Sequence, residues 1–270
     1  MLDVAGGKGE LSFELFNLNH IASTVIDPRP LLLSRCQTKW RKGQYGPRRT
    51  GPLFAKWNPC YNQAVSPAAP PHLRVFFYAK DAAAAASCWE DGGGEEGELW
   101  LRRARAAGRR VAWTTKGLAE EEDDHEEVVP ESPMLEVDGN EDPHSELDEE
   151  SAEVPIIDDR PEELTTASEA SCLLRDASCV VGLHPDQAAG EIVEFALERG
   201  LPFAVVPCCV YKREFPKRRL PDSRPVSNYD DLCEFLKAKH PRIREAKLDF
   251  EGKNTVLFMG PEDIAAGPYS

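Results

Sequence analysis

The chain has 270 residues, of which 41% are hydrophobic and 29% charged, and its formal net charge at pH 7 is −15. This length suits one α/β domain with a full core, or at most two small domains, and it excludes a peptide or a fibre. The sequence contains no run of about 18 apolar residues and no secretory signal at its start, which predicts a soluble protein of the cytoplasm or the nucleus.

The first part of the chain predicts a strand, a glycine-rich turn, a helix and a second strand. The segment that follows, 36–71, is rich in Gly, Pro, Arg and aromatic residues without a period, so we expect a long irregular loop. A third strand, apolar and buried, ends this part. The predicted strands are Leu2–Ala5, Ala22–Ile26 and His72–Tyr78, and the helix is marked by Leu11, Leu15 and Leu18 at helical spacing.

The middle of the chain carries the acidic charge. Residues 120–163 hold 21 acidic residues and one basic residue, Arg160. From Asp81 onward, runs of Ala, Gly and Glu cannot bury enough apolar area to offset their ordering entropy. We therefore predict a disordered acidic insertion over 81–163, which divides one domain into a first part, 1–80, and a second part, 164–270.

The second part alternates helices and strands and ends in a β-hairpin. Gly200 is expected to end one helix, and Ser227 or Asn228 to cap the next. The eight cysteines lack CxxC spacing, which indicates reduced thiols and argues against structural zinc. The predicted helices are Ala170–Leu174, Asp186–Arg199 and Tyr229–Lys239, and the predicted strands are Cys179–Leu183, Phe203–Val206, Lys247–Phe250 and Thr255–Met259.

A ligand-binding bend is predicted between the first strand and the first helix, in the segment DVAGGKG from Asp3 to Gly9. Glycines allow positive φ and close approach of a ligand, and the following helix offers free N–H groups. Asp27 ends the second strand, where a doubly wound sheet would place its carboxylate beside the same crevice, able to accept both hydroxyls of a ribose. A nucleotide-like ligand is therefore expected.

Two other kinds of nucleotide site also contain a glycine-rich turn between a strand and a helix. A phosphate-binding P-loop fails because Lys8 is followed by Gly9 instead of Ser or Thr. An NAD site of a Rossmann oxidoreductase stays open, because Gly7, Gly9 and Ser12 approximate its spacing. Asp3 argues against it, since a carboxylate would repel a pyrophosphate but accept hydrogen bonds from a cationic amino acid moiety.

DVAGGKGEL followed by VIDP resembles the cofactor loop and ribose acid of class I S-adenosylmethionine-dependent methyltransferases, and LDFEGKNTVLFM resembles their sixth and seventh strands. GLHPDQ and VVPCCVY are similar to the methyltransferase domain shared by the glutathione-S-transferase C-terminal-domain-containing protein and methyltransferase-like proteins. The resemblance covers 1–80 and 165–260. It implies an α/β fold, a doubly wound Rossmann-like sheet with a C-terminal antiparallel hairpin, and S-adenosyl-L-methionine as cofactor. The implied cofactor-binding residues are Asp3, Ala5, Gly6, Gly7, Gly9 and Asp27, with Asp81 a weaker match for the adenine-side acid.

Catalytic candidates follow the fourth and fifth strands, where the acceptor would bind. His184 is either a general base or a histidine that forms a hydrogen bond within its own loop. Asp186 is catalytic or the N-cap of the following helix. Cys208 or Cys209 is a nucleophile, as in pyrimidine carbon-5 methylation, or a packing residue. A zinc site would need a fourth ligand that the sequence does not supply, so no metal is expected.

Basic residues interleaved with aromatic ones suggest RNA as the methyl acceptor, with tRNA as the leading class. Cations would contact phosphates, and aromatic rings would stack on unstacked bases. The alternative is that these are ordinary basic loops neutralised by the acidic tract. No membrane partner is expected, and protein partners are not indicated. The first cluster comprises Lys39, Trp40, Arg41, Lys42, Tyr45, Arg48, Arg49, Phe54, Lys56 and Trp57, and the second Lys212, Arg213, Lys217, Arg218 and Arg219.

The first strand already includes residues next to Met1, without the helices that normally precede it. We therefore expect either a fragment or an unusually open cofactor site. The missing cover and the lack of a clean match for the adenine-side acid also leave open a catalytically inactive binding module with the same fold.

Overall fold

Seven strands form one sheet in the computed structural model, which describes residues 1–51, 54–87, 98–106 and 166–266. Their order across the sheet is β3-β2-β1-β4-β5-β7-β6, and only β7 runs antiparallel to its neighbours. The predicted α/β class and C-terminal hairpin are thus confirmed, in a mixed, mostly parallel sheet compatible with a Rossmann-like fold. The strands are β1 (Leu2–Val4), β2 (Thr24–Ile26), β3 (His72–Leu73), β4 (Val180–Leu183), β5 (Phe203–Val206), β6 (Arg244–Lys247) and β7 (Thr255–Met259).

Helices connect the parallel strands. Gly200 ends α8 with a φ of 61°, as expected. Asn228, one of the two predicted caps, accepts a hydrogen bond from the N–H of Asp231 at the start of α9. The helices are α1 (Glu10–Asn19), α2 (Ser34–Arg41), α3 (Pro47–Thr50), α4 (Phe54–Trp57), α5 (Ala79–Ser87), α6 (98–106), α7 (Ala167–Arg175), α8 (Ala189–Arg199), α9 (Tyr229–Lys237) and α10 (Pro261–Ala265).

The main core lies between the central strands and the helices that cover them. Strands β1, β4 and β5 are apolar almost throughout because a parallel sheet is buried on both faces. Helix α8 lies against β4 and β5, and its Ile192 is fully buried. A Cβ atom at Gly182 of β4 would lie 2.4 Å from Cδ1 of Ile192, so this strand needs a glycine for the helix to approach.

The expectation of an irregular loop over 36–71 is wrong in part, because α2, α3 and α4 lie within or overlap this segment. Helix α2 helps to form a second, smaller core next to α1. Helix α2 has only eight residues and buries just Cys36 and Trp40, too few to produce a readable period. The members of this second core are Phe13, Leu18, Leu33, Cys36, Trp40 and Tyr45.

Two parts of the predicted insertion also belong to the core. Residues 81–87 lie in α5, where Ala82, Ala83, Ala85 and Ala86 are buried, and α6 buries Trp100, Leu101 and Ala104. The alanine run looked like low complexity, but small side chains allow α5 to pack closely on α7 and α8. The rest of the predicted disorder, at 88–97 and 107–163, lies outside the described residues.

Two predicted strands were misplaced. Strand β3 ends at Leu73 instead of Tyr78, although Val75 and Phe77 are buried. Strand β6 is Arg244–Lys247, so it ends where the predicted strand begins. The sequence did not indicate it because all four of its residues are exposed and show no apolar pattern.

Within the described ranges, no helix combines the length and apolar character needed to span a membrane.

Candidate functional site

The glycine bend joins β1 to α1. Gly7 and Gly9 have φ values of 57° and 82°, in the left-handed region that glycine adopts without steric cost. Gly9 is buried, and a Cβ atom there would lie 2.8 Å from Cδ2 of Leu31. Ala5, Gly6 and Gly7 remain partly exposed. The bend is therefore packed at its helical end and accessible at its strand end.

Asp27 meets this bend, as the sequence predicts. The backbone N–H of Gly7 donates a hydrogen bond of 2.9 Å to Oδ2 of Asp27. The carboxylate is buried where β2 ends, and parallel pairing of β1 with β2 brings the two segments together. The candidate ribose acid and the candidate cofactor loop thus lie in direct contact.

Arg29 covers the same carboxylate, a feature that sequence reasoning missed. Its Nε donates to Oδ1 of Asp27 and its Nη2 to Oδ2, both at 3.0 Å, and its backbone N–H donates to Oδ1 at 2.8 Å. These contacts raise the pKa of the guanidinium, with the hydrogen bonds to Asp27 as the largest cause. The sequence signal for this contact is the spacing, because Arg29 follows Asp27, the candidate ribose acid, by two residues.

Asp3 lies beneath the bend and does not face the cleft. Its side chain is fully buried, and Ser12 Oγ donates a hydrogen bond of 2.7 Å to Oδ2. Oδ1 has no hydrogen-bond partner among the described residues. Burial raises the pKa of Asp3 to about 6. A Cβ atom at Gly6 would lie 2.7 Å from Oδ2, so the carboxyl group packs directly against the bend.

A cleft opens above Asp27 at the carboxyl ends of β1, β2, β3 and β4. The space inside it that a water-sized molecule can reach is about 70 Å³, and its walls are mainly apolar. Mainly apolar walls with a few polar groups are typical of a small-molecule site. Residues that line it include Ala5, Pro28, Phe77, Pro185, Asp186 and Tyr211.

The structure brings two of the four catalytic candidates together. Sγ of Cys208 lies 3.8 Å from Oδ1 of Asp186, which lines the cleft. Burial is the largest cause that raises the pKa of the Cys208 thiol to about 12, so the reactive thiolate is disfavoured at neutral pH.

Asp186 begins a 3₁₀ turn whose N-cap is Pro185, so the alternative of an N-cap role for Asp186 is wrong.

His184 and Cys209 lie next to the cleft but do not line it. The backbone N–H of His184 donates to the carbonyl oxygen of Val206 at 3.0 Å. The imidazole meets the ring of Phe250 edge-on, at 6.0 Å between ring centres. Cys209 is exposed. Asp81, the weaker adenine-side match, is exposed at the start of α5 and is not part of the cleft wall.

Three members of the basic and aromatic clusters are not free for nucleic acid. Trp40 is buried, and its indole N–H donates to the carbonyl oxygen of Val65 at 2.8 Å. The hydroxyl of Tyr45 donates to Oε1 of Glu14 at 3.0 Å. The Arg218 guanidinium lies 3.5 Å from the ring centre of Phe215. The expectation that these side chains meet unstacked bases or phosphates is therefore not supported by their placement.

Other members of the first cluster stay exposed. Trp57 is 56% exposed, with Nζ of Lys56 at 5.6 Å from its ring centre. Within the described ranges, no ion pair joins Arg41, Lys42, Arg48, Arg49 or Lys56 to a carboxylate.

Within the part of the chain that the structure describes, no group of three or more His, Cys, Asp or Glu side chains is placed to hold a metal ion.

Comparison with models of known protein families, with curated proteins and with solved structures finds no match to this chain.

Proposed function

We propose that this protein is an S-adenosylmethionine-dependent methyltransferase that binds the cofactor in the cleft above Asp27. The observation that carries the proposal is the contact of Gly7 with Asp27, at the carboxyl edge of a sheet ordered β3-β2-β1-β4-β5-β7-β6. The insertion of an antiparallel β7 between β5 and β6 agrees with the sheet that the sequence resemblance implies.

The residues of the cleft suit the nucleoside part of this cofactor. Ribose hydroxyls donate hydrogen bonds, and the Asp27 carboxylate supplies two acceptor oxygens where β2 ends. Pro28, Phe77 and Pro185 offer apolar surface for a purine ring. The partly exposed backbone of Gly6 and Gly7 leaves room for the amino acid part beside the bend.

The charge of the cleft favours a sulfonium over a pyrophosphate. Two carboxylates, Asp27 and Asp186, face one guanidinium, that of Arg29. Asp3, with a pKa raised to about 6, adds negative charge beneath the bend at neutral pH. A net negative site attracts a cationic ligand and repels a dinucleotide. This argues against the NAD-dependent alternative.

Bound S-adenosylmethionine supplies an electrophilic methyl group on a sulfonium. The protein's own contribution is to hold an acceptor in line with that methyl group, and a base is needed only for acceptors that lose a proton. Of the four catalytic candidates, Asp186 is the one that lines the cleft, so it is the candidate for that role. The protonated Cys208 thiol does not suit nucleophilic catalysis. RNA as acceptor is proposed from the exposed ring of Trp57 and the exposed Lys56 beside it.

One observation favours the second candidate, an inactive binding module with this fold. Arg29 and Gly7 together occupy both oxygens of Asp27, so the ribose acid is not free in the described conformation.

Calorimetry with S-adenosylhomocysteine and transfer of a radiolabelled methyl group to RNA, protein and small-molecule fractions test the proposal. We expect micromolar binding that Asp27→Ala weakens at least about ten-fold, while Asp249→Ala, an exposed acid in the hairpin turn, leaves it unchanged. No heat at millimolar ligand would refute the proposal. Binding without label transfer to any fraction would favour the inactive module.

A further inference from the structure

We infer that Arg29 is a positioning residue that holds the Asp27 carboxylate in the free protein and transfers its guanidinium to Asp186 when a nucleoside enters the cleft. The inference rests on the proposed function. It concerns a residue that neither the sequence motifs nor the resemblance assigns to the site.

The Asp27 carboxylate has no free acceptor position in the described conformation. Its two oxygens accept four hydrogen bonds, from the backbone N–H groups of Gly7 and Arg29 and from Nε and Nη2 of Arg29. A carboxylate offers about four acceptor positions, so this one is saturated. A ribose hydroxyl can therefore reach Asp27 only when one of these donors leaves.

The guanidinium is the donor that is able to leave. The two backbone N–H groups are fixed by the bend and by the end of β2, whereas the Arg29 side chain is 52% exposed and rotates about four bonds. Asp27 itself is only 1% exposed, so the carboxylate stays in place. Departure of the guanidinium opens the side of Asp27 that faces the cleft.

A second carboxylate is ready to receive the guanidinium. Nη2 of Arg29 lies 3.8 Å from Oδ2 of Asp186, which is 49% exposed and lines the same cleft. A small rotation keeps the charge paired, so the exchange costs less than full exposure of an unpaired guanidinium. Asp186 also interacts with Tyr211, which lies in the loop after β5. Entry of the nucleoside would thereby reorganise the side of the cleft where the acceptor binds.

The test measures affinity of the full chain for S-adenosylhomocysteine by calorimetry. Because Arg29 competes with the ribose, Arg29→Ala is expected to tighten binding about five-fold, and Arg29→Lys, which lacks the planar fork, about two-fold. Asp186→Asn removes the second carboxylate and is expected to weaken binding about three-fold. In the Arg29→Ala background, Asp186→Asn should have no effect. Arg35→Ala, an exposed arginine outside the cleft, is the matched control.

The outcomes separate the two proposals. Weaker or unchanged binding in Arg29→Ala, with normal binding by the wild type, overturns the inference and leaves the proposed function standing. An Asp186→Asn effect that persists without Arg29 also overturns it. If Arg29→Ala binds S-adenosylhomocysteine and the wild type does not, the inference is supported, because the guanidinium then blocks the site completely. No binding by any variant refutes both proposals. Thermal unfolding is recorded for each variant, and Arg29→Lys decides the question if Arg29→Ala does not fold.

Discussion

The hydroxyl of Ser12 donates a 2.7 Å hydrogen bond to Oδ2 of Asp3 in a fully buried space beneath the glycine bend. A second hydroxyl, that of Ser23, lies 2.7 Å from Ser12 Oγ, and the other oxygen of Asp3 has no partner among the described residues. The carboxyl group is thus only partly satisfied. Its ionisation therefore links the stability of the bend to pH.

Asp3→Asn tests this link. Burial raises the pKa of Asp3 from 3.8 to about 6 in the folded protein, so the ionised group destabilises the fold above pH 6. The penalty is relieved as the pH falls from about 6 to 4, because the folded protein takes up the proton first. We expect Asp3→Asn to increase the free energy of unfolding by about 2 kcal/mol at pH 7.5 and to have little effect at pH 4.

Urea unfolding at both pH values measures this difference. Asp249→Asn, at an exposed position, is the control. A change in stability that is the same at pH 4 and pH 7.5 would contradict the assignment of a raised pKa to Asp3.

Gly6→Ala is expected to disturb the bend through contact with Asp3. The added methyl group would lie 2.7 Å from Oδ2, and such overpacking typically costs about 1–3 kcal/mol of stability. We also expect weaker binding of S-adenosylhomocysteine. Removal of the carboxyl group in the double variant Asp3→Ala with Gly6→Ala should recover part of the loss caused by the added methyl. Additive effects of the two substitutions in urea unfolding would show that this contact is not the cause.

The adjacent thiols are expected to differ in reactivity. Cys208 is buried with a pKa raised to about 12, whereas Cys209 is exposed. At pH 8, iodoacetamide should modify Cys209 at least about ten-fold faster, because only the thiolate reacts and access differs. Tandem mass spectrometry assigns the modified residue, and the same reaction in urea should abolish the preference. Faster modification of Cys208 in the folded protein would reopen its role as a nucleophile.

Trp40 and Trp57 are expected to have different roles, because Trp40 is buried and Trp57 is exposed. Trp40→Ala empties a buried site among Phe13, Tyr45 and Tyr61, and we expect it to cost about 3–5 kcal/mol of stability. Trp57→Ala, at an exposed position, should change stability by less than about 0.5 kcal/mol. Urea unfolding measures both. If Trp57 meets unstacked bases, its variant should instead weaken binding of single-stranded RNA, measured by fluorescence anisotropy at fixed salt. Equal stability losses would contradict this division.

The sequence by itself determined the features that depend on neighbouring residues. Short apolar segments indicated β5 and β7 at their observed bounds. Gly200 marked the end of a helix, and Asn228 was one of the two predicted caps. The order of Asp27 after a glycine bend predicted their meeting, because parallel strands of a doubly wound sheet bring their carboxyl ends to one edge. These signals are local, so a single sequence contains them.

Only the tertiary structure decided which side chains are buried, paired or free. Asp3 lies beneath the bend instead of in the cleft, Trp40 and Tyr45 lie inside a small core, and the alanines of α5 pack in the main one. Arg29 reaches Asp27 along the chain but approaches Asp186 only across the sheet. Burial and charge pairing depend on contacts between distant segments, and those contacts set the pKa values and the accessibility on which the proposed chemistry depends.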